Sequence, residues 1–212
     1  MTNIEFEKIP NSLRKPGVYT EYNAKGAVTT LPTNEQEVLI VAPMIGGTTA
    51  FTQPLRVYSD LDAATAFGAG SWAHLMTRMA ITNNSLIRLS VMGLADSSSG
   101  VVASGRLALT GTATSQGVMT ATIAGVDYKV AVAKGEKAKD VAARLNAVIN
   151  GATDCPATAS VSESTITLTA KCKGAIGNEI NLTATNTAKD MTLSATAFAN
   201  GAENADLAPA LA

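Results

Sequence analysis

The hydrophobic pattern of this chain changes its period at one loop, and that change constrains the fold more than any motif does. The loop is ADSSSG, where Asp96, Ser97, Ser98, Ser99 and Gly100 form a turn-rich break between two dissimilar segments. Before it, VLIVA (Val38 to Ala42) is a continuous apolar run bounded by Glu37 and Pro43, the pattern of a strand covered on both faces as in parallel sheets. LRVY (Leu55 to Tyr58) and LIRLSVM (Leu86 to Met92) read as further strands. Between them, Ser59 with Asp62 predicts the capped start of a short helix ending at Gly68. Ser71 then caps a second helix, with Trp72, Leu75, Met76, Met79 and Ala80 on one face. This is α/β wiring with too few strands to close a core by itself.

After the loop the period falls to two. RLALTGT, VMTATIAG, DYKVAVA, TITLTA, INLTA and MTLSATAF alternate Thr or Ser with Leu, Val, Ile, Met or Ala, the signature of strands wet on one face and packed on the other. One helix interrupts them, at about residues 138–150, with Ala138, Val141, Ala142, Leu145 and Ile149 on one stripe and Asn150-Gly151 as its stop. The fold class expected is therefore α+β: an incomplete α/β segment followed by an antiparallel β-sandwich domain with one helix. The divisions follow: an extended arm at 1–25, the α/β segment at 26–98, the sandwich at 99–203 and the start of a helix at 204–212. Asp206 is the expected N-cap of that last helix, which reads as cut off in its first turns. The 212 residues are accordingly expected to be the N-terminal portion of a longer protein.

Composition narrows the chemistry. Sixteen basic and 17 acidic residues leave a formal charge of −1, so no field exists to hold nucleic acid or anionic lipid. Only 16% of residues are charged, which leaves few groups for acid–base chemistry. The opening residues lack the apolar core of a signal peptide, and no apolar run approaches the roughly 18 residues of a membrane span. The chain reads as soluble and cytosolic where it is made. Cys155 and Cys172 have no C-x-x-C partner and no nearby histidine, so they read as reduced structural thiols, with a bridge between them only in an oxidising compartment.

Several motifs invite a catalytic reading and fail it. Gly68, Gly70 and Ala73 match G-x-G-x-x-A, but the phosphate-cradling form follows a strand and here the preceding DLDAATAF reads as helix. A helix–helix turn is expected instead, and no cofactor. Ser71 and His74 lie three apart as nucleophile and base would, without an evident carboxylate orienter or nucleophile elbow. An N-cap serine and a surface or interface histidine are the expectation. Glu35 with Glu37, and Asp60 with Asp62, are read as loop and cap residues rather than as metal or acid–base pairs. Lys134, Lys137, Lys139 and Arg144 are interleaved with Glu136 and Asp140, the pattern of a solvated helix face. At the other end, IEFEKIPNSLRKPGVYTEYN combines Pro10 and Pro16 with alternation through Val18, Thr20 and Tyr22. Such a segment either adds as a strand to another subunit's sheet edge or forms the first strand of its own domain.

Taken in order, these segments resemble the contractile tail sheath proteins of Mu-like bacteriophages and prophages. The arm, especially Pro16-Gly17-Val18-Tyr19 followed by Glu21, is similar to the sheath opening. PLRVYSDLDAATAFGAGS (Pro54 to Ser71) is similar to a sheath stretch of strand, Ser-Asp cap and F-G-x-G-S turn. The segments from Leu109 to Asn150 and from Leu168 to Leu182 resemble the inserted β-rich domain, with its T-G-T-A-T opening and a K-G-x-x-G-N loop at Lys173, Gly174, Gly177 and Asn178. Two departures stand out: family members carry a C-terminal half that is absent here, and Lys137 stands where relatives place a Ser or Thr helix cap, at a cost of about 1 kcal/mol.

The resemblance implies a structural subunit and not an enzyme. It implies hexameric rings stacked around a tail tube, contracting to drive the tube through the host envelope, with Pro16, Gly17, Val18, Tyr19 and Glu21 in subunit contacts. Implied partners are copies of the chain itself, the tube protein, and baseplate and tail terminator proteins, with neither nucleic acid bound directly nor insertion into membrane. The place implied is the virion, after assembly in the host cytoplasm. The rival reading is a β-sandwich binding module of carbohydrate-binding or adhesin type, which needs exposed aromatics, and residues 101–212 contain only Tyr128 and Phe198. An enzyme built on the Gly68 turn comes third.

Overall fold

The computed structural model describes residues 14–18, 20, 37–45 and 53–208. The chain divides into two compact units, Met1–Glu35 and Gln36–Ala212. In the first, the described residues 14–18 and 20 are all exposed.

The second unit begins with a three-stranded mixed sheet. β1 (Glu37–Pro43) runs parallel to β3 (Arg88–Leu94), and the short β2 (Leu55–Val57) pairs antiparallel on the other side of β3. The parallel pairing agrees with the apolar run at Val38–Ala42, but the expected burial on both faces does not hold. β1 is the sheet's edge, with Val38 39% and Leu39 52% exposed and Ala42 buried, whereas β3 has the central position and buries Leu89, Ser90, Val91, Met92 and Gly93.

Two helices cover this sheet. α1 (Asp60–Phe67) starts where the Ser59 side chain accepts the Asp62 amide, and ends at Gly68 with φ of 85°. α2 (Trp72–Asn83) starts where the Ser71 side chain accepts the His74 amide. Both caps satisfy amide donors that a first helical turn leaves orphaned. The apolar face read for α2 is buried only in part: Trp72 and Ala80 pack against the cluster beneath the helix, but the most buried residues are others. Ala73, His74 and Thr77 point inward, while Met76 and Met79 are 46% and 61% exposed. Close packing against α1 and the sheet selects the small stripe over the large one, and the polar members are satisfied: Thr77 Oγ1 donates to the Ala73 carbonyl at 2.7 Å.

The remainder is the antiparallel sandwich. One sheet has the order β10 (Met191–Ala199), β4 (Val102–Gly111), β8 (Thr165–Lys173) and β7 (Ala157–Ser162). The other has β6 (Val126–Val132), β5 (Gly117–Ile123) and β9 (Leu182–Asn186). Alternation works as read: Leu107, Leu109, Met119, Ile123, Val130, Ile166 and Leu168 face the core, with Thr and Ser between them turned outward or to the rim. The β5–β6 hairpin turns at Ala124-Gly125, both with positive φ (50° and 83°), the geometry that matches strand twist. α3 (Ala138–Gly151) closes the sandwich with all five expected stripe residues buried. β7 is a strand that the alternation did not announce, because ATASVS buries only Ala157 and so shows almost no apolar contrast.

Two hydrophobic clusters result, one inside the sandwich and one between the small sheet and its helices, and Trp72 packs against both. The α+β class, a small α/β segment followed by a sandwich with one helix, is the architecture observed. At the far end Asp206 Oδ1 accepts the Ala208 amide at 2.9 Å, as a cap would, and the helix expected beyond it lies outside the described residues.

Candidate functional site

The densest polar cluster of the described residues forms where the α1–α2 turn meets the sandwich. Gly68 and Gly70 make that turn, Gly70 with φ of 82°, a left-handed conformation that glycine adopts without strain. A Cβ on Gly70 would run into the Cys155 carbonyl, so the turn sits directly on the loop before β7. Lys171 of β8 fastens the contact: its Nζ donates to the Ala69 carbonyl at 3.2 Å and to the Thr153 carbonyl at 2.7 Å.

Beside this seat lies His74, 1% exposed. Its Nδ1 accepts the Gly70 amide at 3.0 Å, which places the ring proton on Nε2, 2.9 Å from Asp60 Oδ1. Arg78 completes the cluster, donating from Nε to Asp60 at 2.9 Å and from Nη1 to Asp154 Oδ2 at 2.7 Å. The hydrogen bonds from Arg78 hold the Asp60 and Asp154 carboxyls below the usual carboxylate range. Burial is the largest influence on His74 and pushes its pKa down, outweighing the attraction of Asp60. The histidine expected at the surface or an interface is therefore a buried, neutral hydrogen-bond hub. A carboxylate orienter does exist, Asp60, and sequence spacing missed it because the residue does its work from the preceding helix.

This arrangement has structural rather than catalytic chemistry. Ser71 is fully buried and its Oγ accepts the His74 backbone amide at 3.1 Å, while both imidazole nitrogens are engaged elsewhere. No ring nitrogen is left to take a proton from Ser71. The Gly68–Ala73 motif is the helix–helix turn expected. The Gly70 amide that would meet a phosphate is spent on His74, and the outer side of the turn is occupied by the Cys155 carbonyl and Lys171.

The remaining candidates are scattered. Glu37 accepts from Ser90 Oγ at 2.7 Å, and Glu35 lies outside the described residues. Asp62 supplies the capped amide of α1. Among the described residues no three His, Cys, Asp or Glu side chains gather as a metal site would require. Arg144 is bound bidentately by Glu136 at 2.6 and 2.7 Å, which holds the Glu136 carboxyl down to about 2, and Lys139 pairs with Glu163 at 3.1 Å. The basic run is thus solvated, with Arg144 and Lys139 paired to carboxylates and Lys134 and Lys137 exposed before α3. Cys155 and Cys172 are buried free thiols. Tyr128 and Phe198 are 5% and 4% exposed, so the sandwich offers neither as a stacking platform for sugars. In the arm, Pro16, Gly17 and Val18 are exposed, Val18 at 95%, while Tyr19 and Glu21 lie outside the described residues. No described helix is long and apolar enough to cross a membrane.

No protein-family model matches the chain. A relative does: over 181 residues the chain is 38% identical to the Mu-like prophage FluMu tail sheath protein of Haemophilus influenzae. The match takes in 85% of this chain and 37% of that protein, so the chain spans well under half the length of its relative. The resemblance to the tail sheath proteins of Mu-like phages and prophages is borne out: this chain is similar along most of its length to part of a Mu-like prophage tail sheath protein.

Proposed function

We propose that the chain is a structural, non-enzymatic part of a contractile phage tail sheath. Copies assemble with one another as stacked hexameric rings around a tail tube, and the stack shortens to drive the tube through the host envelope. The observation that carries this reading is the 38% identity over 85% of the chain to a tail sheath protein. Near-neutral charge and a site whose polar groups are satisfied internally are consistent with it. Mechanical output requires contacts between subunits that differ in two packings, a bistable assembly, and not a reactive group.

In this reading the divisions have separate tasks. Residues 1–25 are a tether to a neighbouring subunit, with Pro16, Gly17, Val18, Tyr19 and Glu21 in the contact; residues 26–98 are part of a core domain; residues 99–203 form an outward-facing sandwich. Tube, baseplate and terminator proteins are the further partners, and the virion is the destination. The test is electron microscopy of the complete gene product co-expressed with its tube protein. Tubes or stacked rings are expected, with removal of residues 1–25 abolishing them. Monomers alone from the intact protein, under conditions where the tube forms, would refute the proposal.

A further inference from the structure

The α1–α2 turn that sits on the sandwich carries one hydrogen bond whose acceptor is a titratable ring nitrogen. His74 Nδ1 is an acceptor for the Gly70 amide, and the imidazole is enclosed, 1% exposed, so it has no water to turn to. A second ring proton would sit on Nδ1 and oppose the Gly70 N–H donor directly. Gly70 is also the residue pressed on the Cys155 carbonyl, and its neighbour Ala69 gives its carbonyl to Lys171. The same turn therefore carries the histidine contact and the contact between the two halves of the unit. We propose that His74 is an acid-released clasp, in which gaining a proton on Nδ1 ejects the ring from the Gly70 amide and lifts the Gly68–Ser71 turn off the loop at residues 153–156.

The surrounding charges decide whether the clasp opens. From α1, Asp60 faces Nε2 and favours the doubly protonated ring; from α2, Arg78 Nη2 stands 3.3 Å from Nε2 and opposes it. From the loop before β7, Asp154 favours protonation, but its carboxylate is bound by Arg78. Lys171 of β8 adds a cation at Ala69, beside the turn. The strands behind α2 supply Glu37, which receives Ser90 Oγ, and Arg88. Burial, with Arg78 beside it, outweighs the carboxylates, so the ring is neutral when the clasp is closed. The chain has one histidine, and the Asp60 and Asp154 carboxyls beside it are held below the ordinary carboxylate range, so neither changes its charge above pH 5. The clasp works within a single chain and stands whether or not copies assemble.

The experiment is amide hydrogen exchange by NMR on the 212-residue chain, comparing protection factors rather than raw rates between pH 7.5 and 5. The Gly70 amide is expected to lose protection by up to tenfold per pH unit once the ring titrates. The variant His74→Asn, whose side-chain carbonyl accepts the same amide but takes up no proton, is expected to keep its protection at both ends. Gly70 protection unchanged across the pH range in which the wild-type imidazole takes up its second proton, or an equal loss in H74N, overturns the proposal. Should H74N fail to fold, the ¹⁵N resonances of the wild-type imidazole decide: Nδ1 protonation with the same midpoint as the Gly70 loss supports the clasp, and a doubly protonated ring with Gly70 still protected refutes it.

Discussion

Replacing Gly70 by alanine separates two costs that the structure places on one residue. The first is backbone strain: at φ of 82° an L-residue is disfavoured by about 1 to 2 kcal/mol. The second is collision, since the added Cβ meets the Cys155 carbonyl, a backbone atom that moves only if the loop moves, and overpacking of this kind costs about 1 to 3 kcal/mol. Gly135 supplies the control. Its φ is 89° and nothing lies within 4 Å of a Cβ built there, so Gly135→Ala carries the strain alone. The difference between the two variants is then the close approach by itself, about 1 to 3 kcal/mol. With a urea dependence of about 2 kcal/mol per molar, that is a midpoint lower by about 0.5 to 1.5 M in Gly70→Ala than in Gly135→Ala. Trp72 is the right probe, being the single tryptophan and packed against both hydrophobic clusters, so its fluorescence reports on the junction. Equal midpoints for the two variants would refute the reasoning, because the turn would then bear no load on the sandwich loop.

Three further outcomes are expected. Lys137 is the N-cap of α3, in extended conformation and without a side-chain hydrogen bond, so Lys137→Ser should raise stability by about 1 kcal/mol in chemical denaturation; no gain would mean that the orphan amides are already satisfied. Asp60 and Asp154 have carboxyl groups held below their ordinary range by Arg78, so their contribution is complete above about pH 4 and is lost as pH falls through their lowered values. Arg78→Met should flatten that acid limb of a stability–pH profile, and an unchanged limb would show the pairs to be worth little, as partly exposed pairs often are. Cys172 is buried and pushed up to about 11 by burial, and Cys155 is also buried, so a thiol reagent at pH 8 should label neither until the chain is unfolded; rapid labelling of the folded chain would contradict their packing.

Local chemistry made much of this fold legible. Ser59 and Ser71 announce their helices because a hydroxyl at that position answers an amide three residues on, whatever the rest of the chain does. The stripe Ala138, Val141, Ala142, Leu145 and Ile149 announces α3, and strict alternation announces most sandwich strands, because apolar side chains must share a face to leave water together. The resemblance to sheath proteins was legible too, since it lives in the order of these same segments. The exceptions are instructive: β7 lacks apolar contrast, and β1 looks buried only because its composition does not say which strand takes the centre of the sheet.

What the amino-acid order determined by itself, then, is the elements and their caps, which arise from residues within a few positions of one another. What the tertiary structure alone decided is which surfaces meet. α2 could have buried Met76 and Met79, and it buried Ala73, His74 and Thr77 because the helix lies close against its neighbours. Arg78 joins Asp60, 18 residues away, to Asp154, 76 residues away, and no local rule links three such positions. Charges and hydrogen-bonding groups act over a few ångströms of space, and distance along the chain becomes distance in space only after packing has been settled.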